Sequence, residues 1–137
     1  MKISTKGRYG LMMMVDLAIH DTAGVPISLK SIAERQGLSD HYLEQLISPL
    51  RNVGIVRSIR GAYGGYVLGK PKTEVTVADI ILTLEGPLTL VDEEIEDGLS
   101  ELWQQLEKSM LAVLKSTTLQ DLVEMREREQ GNFMYYI

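Results

Sequence analysis

Cysteine is missing altogether from the 137 residues. Without thiols there is no disulfide, no thiolate metal site, no Cys-ligated iron–sulfur cluster and no cysteine redox switch. Histidine is nearly as scarce: the two present, His20 and His41, lie far apart and lack the i, i+4 spacing of a helical zinc site. No metal or other cofactor is expected. The same scarcity argues against a catalytic triad, and with no paired carboxylates and no cofactor loop the chain does not read as an enzyme. Long hydrophobic runs are missing too. The longest, from Leu11 to Ile19, is interrupted by Asp16 and falls short of the roughly 18–20 apolar residues of a membrane span. Lys2, Lys6 and Arg8 imitate the start of a signal peptide, but Asp16 breaks the apolar part and no small-x-small cleavage site follows. A cytoplasmic protein without membrane association is the expectation.

What is present is a hydrophobic fraction of 45%, enough for one domain of ordinary size with a real core and a short appendage. The net charge of −5 hides a change of sign along the chain. Residues 1–72 carry ten Lys or Arg against five Asp or Glu, a net of +5, and the remainder carries four against fourteen, a net of −10. A phosphate backbone responds to the local basic face within about 10 Å, one Debye length. Contact with double-stranded DNA is therefore assigned to the first half.

Ser4 or Thr5 can cap a first helix reaching about His20, with Tyr9, Met12, Met13 and Ala18 or Ile19 at helical apolar spacing. The triplet Met12 to Met14 reads as core filler rather than a soft ligand surface. Ser28 caps a second stretch to about Gln36, stopped by Gly37, and Ser39 caps a third in which Leu43, Leu46, Ile47 and Leu50 recur at i, i+3, i+4, i+7 before Gly54. Two helices joined by so short a turn suggest a helix-turn-helix, whose second helix enters the major groove. Pro49 removes a backbone donor inside that helix, and a kink is expected there.

Ile55 to Ile59 and Tyr66 to Leu68 are β-prone and flank the glycine-rich Arg60 to Gly65. A phosphate-binding loop would need a helix directly after the glycines, whereas a second strand follows, so the segment reads as a hairpin wing. Arg57 and Arg60 would reach a minor groove, and Gly61 permits close backbone approach. Thr76 to Asp79 opens another helix as a capping box, ended by Gly86-Pro87. The fold class expected is mainly α with a small β-hairpin wing. Residues 1–87 would form the winged helix-turn-helix domain and 88–98 an acidic linker. Residues 99–137 would supply a long helix, a second short helix and a tail. Leu99, Leu102, Leu106, Met110 and Val113 step by three and four, a seam for a partner helix, and reading paired half-sites calls for a homodimer. Folding back onto its own domain would also hide that seam.

Four segments carry a family resemblance: Met1 to Gly10 (MKISTKGRYG); Ser39-x-x-Tyr42-Leu43-Glu44-Gln45-Leu46; Pro49-Leu50-Arg51-x-x-Gly54; and Ser58-x-Arg60-Gly61-Ala62-Tyr63-Gly64-Gly65-Tyr66. They resemble the Rrf2-type winged-helix regulators, and within that family the chain is similar to the cysteine-metabolism repressors of Gram-positive bacteria. The resemblance spans essentially the whole chain. It implies a homodimeric transcriptional repressor whose recognition helices enter successive major grooves while the wings reach the minor groove. Carried onto matching positions, it implies DNA contacts from Lys2, Ser4, Tyr9, Ser39, His41, Tyr42, Gln45, Arg51, Arg60 and Gly61. The residues themselves agree in part. Ser39 at a helix start suits a phosphate, His41, Gln45 and Ser48 share the face opposite Leu43 and Leu46, and Gln45 could pair bidentately with adenine. Ser28, Ser48 and Arg57 complete the set of DNA-contact candidates.

Members of the family that sense iron–sulfur status hold a cluster through three cysteines in the region matching Leu88 to Gly98. None exists here, so no cluster is expected. The resemblance implies instead a protein partner, cysteine synthase, in a complex that O-acetylserine dissolves. Tyr135, Tyr136 and Ile137, with a free carboxylate beside an apolar side chain, would be the partner-binding tail, entering the synthase active site as a substrate mimic. Packing of Phe133 to Ile137 on the parent dimer is the alternative. For the chain as a whole the alternative is a winged-helix interaction module that never touches DNA. Arg51, Arg57 and Arg60 around the recognition face argue against it, though Asp40 and Glu44 temper their charge.

Overall fold

The structure, a computed structural model, describes residues 3–91 and 96–135. Side-chain hydroxyls set most of its helix starts. α1 (Thr5–His20) begins at Ser4, whose hydroxyl accepts the Gly7 N–H at 3.2 Å. α2 (Leu29–Gln36) is capped by Ser28 and stops at Gly37, whose φ of +68° favours a residue without a Cβ. α3 (Asp40–Asn52) is capped by Ser39, which accepts from Tyr42 N–H at 3.1 Å, and runs as one helix through Pro49. β1 (Val56–Ile59) and β2 (Gly65–Leu68) pair antiparallel with Val56 opposite Leu68. α4 (Val77–Glu85) opens on the expected Thr76–Asp79 capping box. α5 (Ser100–Ser116) has Asp97 before it, accepting from Leu99 N–H and Trp103 Nε1–H, each at 2.9 Å. α6 (Leu119–Tyr135) starts with a reciprocal Thr118–Asp121 pair and continues past the charged stretch into the expected tail. The result is the mainly helical fold with a two-stranded wing that the sequence predicts.

α1 is the central element. Met13, Met14 and Leu17 are fully buried on it, against Ile32 of α2, Leu43 and Leu46 of α3 and Ile80 of α4. Met12 departs from the expectation: it is 36% exposed, because it lies on the flank of α1 toward Met125 of α6 rather than on the core stripe. Gly7 and Gly10 let α1 approach the end of α4 so closely that a Cβ at either would collide with Glu85 or Leu84. α6 returns to the same core through Leu119 and Val123, and backbone bonds from Leu119 N–H to Val75 and from Val77 N–H to Thr117, both 2.8 Å, fasten its start to the start of α4. α5 packs on α4 and buries no residue completely.

Among the described residues, one charged side chain lies in this core. Asp16 of α1 is 1% exposed and receives Arg35 Nε at 3.1 and 3.0 Å, Arg35 NH2 at 2.6 Å and Gln36 Nε2 at 2.8 Å. His20, one turn on, places Nδ1 3.4 Å from the same carboxylate. Burial on its own raises the carboxyl pKa, but the Arg35 and Gln36 hydrogen bonds and the Arg35 and His20 charges outweigh it and hold Asp16 below its ordinary value. Because the folded pKa is depressed, the stabilisation is complete above the ordinary carboxylate range. It is lost as pH falls from about 4 through the lower folded value. Asp16→Asn is expected to lower the unfolding free energy by about 1–2 kcal/mol at neutral pH, less than the cost of breaking a fully buried pair because Arg35 is 36% exposed. Urea unfolding of both proteins should show this gap closing below about pH 4. Equal stability at neutral pH would show that the pair contributes nothing.

Candidate nucleic-acid interface

α3 buries Leu43, Leu46, Ile47 and Leu50 and thereby turns His41, Glu44, Gln45 and Arg51 outward, with Ser48 half-buried beside them. His41 Nε2 and Gln45 Nε2 are 3.4 Å apart, and Arg51 NH2 donates to Ser48 Oγ at 3.4 Å, so these candidates form one continuous strip. At its N-terminal end the Ser39 hydroxyl accepts from Tyr42 and keeps its own proton for an acceptor such as a phosphate. The first N–H groups of the helix, without intrahelical partners, point the same way. Tyr9 of α1 meets Tyr42 edge to face, ring centroids 5.9 Å apart, which sets α1 against the first turn of α3.

The wing stands beside this strip. Val56, Val67 and Leu68 bury its base, while Arg57 and Arg60 are exposed. Gly61 turns the tip at φ +121°. Reciprocal bonds between Ile27 and Tyr66, N–H to O at 2.9 and 2.8 Å, tie β2 to the residue before Ser28 and so fix the wing relative to α2. The candidates are not all brought together. Ser28 sits at the start of α2 rather than on the α3 strip; it is exposed, and its hydroxyl caps α2 by accepting Ser31 N–H at 3.1 Å, which leaves its proton free as at Ser39. Ser4 is exposed and engaged by a second helix: its hydroxyl donates to Glu85 of α4 and its N–H bonds the same carboxylate at 3.0 Å. Lys2 lies outside the described residues, as do Tyr136 and Ile137 of the tail; Tyr135 is described only as the last residue of α6. Two residues were missed by the sequence reading. Tyr63 at the wing tip is 94% exposed, a position signalled only by its glycine neighbours. Glu85 is 81 positions from Ser4, and no local pattern marks it.

The seam on α5 is uncovered. Leu99, Leu102, Leu106 and Val113 are 42–62% exposed, and Met110 is half-buried. Among the described residues no helix is long and apolar enough to cross a membrane, and no three His, Asp or Glu side chains cluster as metal ligands.

A model of the Rrf2 family, described as an iron-dependent transcriptional regulator, matches residues 3–125. The HTH-type transcriptional regulator CymR of Bacillus subtilis is 55% identical, with all of both chains aligned. The HTH-type transcriptional regulator IscR of Photorhabdus laumondii is 38% identical over 93% of this chain and 82% of its own. Among solved structures, CymR of B. subtilis, described as the global cysteine regulator, superposes with a TM-score of 0.82 at 54% identity, covering 91% of this chain and 98% of that one.

Among the described residues the iron that the family description implies finds no fitting donors. Soft iron–sulfur ligation needs thiolates and the chain has none, while His20 and His41 sit on α1 and α3, His20 already turned to the Asp16 carbonyl at 2.8 Å. Anaerobic incubation with ferrous iron and sulfide is accordingly expected to give no charge-transfer absorption in the visible range after desalting. A retained chromophore in stoichiometric amount would overturn that assignment.

Proposed function

The chain belongs to the Rrf2 family of transcriptional regulators, and from that premise we propose that it is a homodimeric, sequence-specific DNA-binding repressor of cysteine and sulfur metabolism, acting in the cytoplasm. The observation that carries the reading is the outward strip of α3, with His41, Gln45, Ser48 and Arg51 in line and Ser39 at its start. In this reading the strip lies in the major groove and Gln45 meets a base edge. Arg57, Arg60 and Gly61 approach the minor groove, while Tyr9 and Tyr42 brace the two helices. Residues 1–87 read DNA, 88–98 connect, and 99–137 dimerise and bind a partner. The dimer forms through Leu99, Leu102, Leu106, Met110 and Val113, whose exposure in the single chain supports that use. Two α3 helices one helical turn apart, about 34–36 Å, then match a two-fold operator.

The cysteine role is supported by the similarity to a protein described as the global cysteine regulator. With it comes the partner that the family resemblance implies, cysteine synthase, held by the C-terminal residues Tyr135 to Ile137 and released by O-acetylserine. Binding to genomic DNA fragments at two salt concentrations, with and without the synthase, tests the whole. Selective binding should weaken as salt rises, strengthen with synthase and revert on addition of O-acetylserine. Deleting Ile137 should remove the synthase effect and leave DNA binding intact. Binding indifferent to synthase would leave a repressor with another input, and the absence of any selective fragment would favour the interaction module. For the dimer, Leu106→Glu is expected to convert the protein to monomer in sedimentation. An unchanged dimer would remove the seam from the interface.

A further inference from the structure

A cleft of about 530 Å³ opens between the last turn of α4 and the middle of α5. That volume lies within the range of small-molecule sites. Leu82, Pro87, Leu88 and Leu111 supply apolar walls, and the polar groups come from one stretch of α5, Gln104, Glu107 and Lys108. Glu107 Oε1 accepts Leu90 N–H at 3.0 Å, which anchors the connector as one wall and leaves the second carboxylate oxygen for another donor. Among the described residues Lys108 makes no ion pair. At about 100° per residue, these α5 side chains point roughly 150° away from the Leu99 to Val113 seam. A partner seated on that seam therefore leaves the cleft open.

Glu107 and Lys108, successive residues of α5, put a carboxylate and an ammonium on the lining of a cleft with apolar walls, which matches a ligand with the opposite pair of charges and an apolar body. A singly charged anion would also meet the net −10 of residues 73–137, whereas a zwitterion would not be repelled as a whole. We propose that the α4–α5 cleft binds an apolar α-amino acid. Its carboxylate pairs with Lys108, its ammonium with Glu107, and its side chain lies among Leu82, Leu88 and Leu111.

The floor of the cleft is continuous with a DNA-proximal element. Glu85, on the turn that also carries Leu82, accepts both the N–H and the hydroxyl of Ser4. Gly7 and Gly10 leave no slack between that turn and α1. A ligand that shifts the end of α4 therefore shifts the start of α1, and this consequence for regulation rests on the DNA-reading role proposed above. The binding itself does not, so the two fail separately.

Titration of the full-length protein without DNA, followed by calorimetry and by backbone amide resonances, tests it with L-leucine as the probe. 4-Methylpentanoate, lacking the ammonium, and 3-methylbutylamine, lacking the carboxylate, serve as comparisons. Leucine is expected to bind saturably at one site per chain, and each comparison compound at least about tenfold more weakly. Lys108→Gln should weaken leucine by a similar factor. So should Glu107→Gln, whose amide oxygen can still accept Leu90 N–H. Resonances of Ser4 and Gly7 should move together with those of Leu82 and Leu111. No saturable binding, equal binding of the comparison compounds, or indifference to both substitutions would overturn the site. Shifts confined to the cleft would overturn its transmission to α1.

Discussion

A carboxylate in a hydrocarbon core is tolerated only with its lone pairs filled, and the position of Asp16 therefore dictates where α2 must lie. Arg35 and Gln36, on the last turn of α2, supply the donors. Once that turn is pinned to α1, the short Gly37–Leu38–Ser39 connection leaves little choice in the entry of α3. The buried Leu43, Leu46, Ile47 and Leu50 then settle its rotation. The outward strip is thus a consequence of the Asp16 contact and of hydrophobic burial. The wing is set from the same place, since the Ile27–Tyr66 bridge joins β2 to the residues that start α2. α3 and the wing are thus referenced to one clamp, which fixes their placement relative to each other.

α5 stands apart from this arrangement. It has 17 residues and buries none of them fully, while it presents an apolar row to the outside. A helix of that length gains most of its stability from tertiary packing of an apolar face. Contact with α4 engages one side only, so the seam side needs a covering surface, and a second copy offers a self-complementary one. α6 has found its surface already. With Leu119 and Val123 in the core and its first turn bonded to Val75, it closes the structure around α1.

Much of this was legible in the sequence because it is local. Ser4, Ser28, Ser39 and Thr76 announce their helices through hydroxyls that answer a need three residues away, and Gly37 announces a stop through its backbone freedom. The α3 periodicity gave both the buried face and, by subtraction, the face carrying His41, Gln45 and Ser48. What escaped is non-local. Asp16 read only as an interruption of an apolar run, since nothing in its neighbourhood reveals that Arg35 and Gln36 return to it. Nothing near Ser4 in the chain reveals that Glu85 meets its hydroxyl; only tertiary structure brings the two together. Met12 carried the same apolar signal as Met13 and Met14, because helical spacing marks a broad stripe without its edges.

Charge separation constrains what can regulate the molecule. The family description speaks of iron, yet the chain has no thiolate and the described residues present no cluster of ligands. A small ligand, a protein partner or a modification is then the kind of input left to it. The net −10 of residues 73–137 repels a phosphate backbone, which the +5 of residues 1–72 attracts. The same field disfavours small anions as effectors and favours partners that are neutral overall or carry a basic surface. A contact at the end of α4 reaches α1 directly: Glu85 accepts from Ser4, the cap of α1, and at Gly7 and Gly10 the two helices lie too close to admit a Cβ.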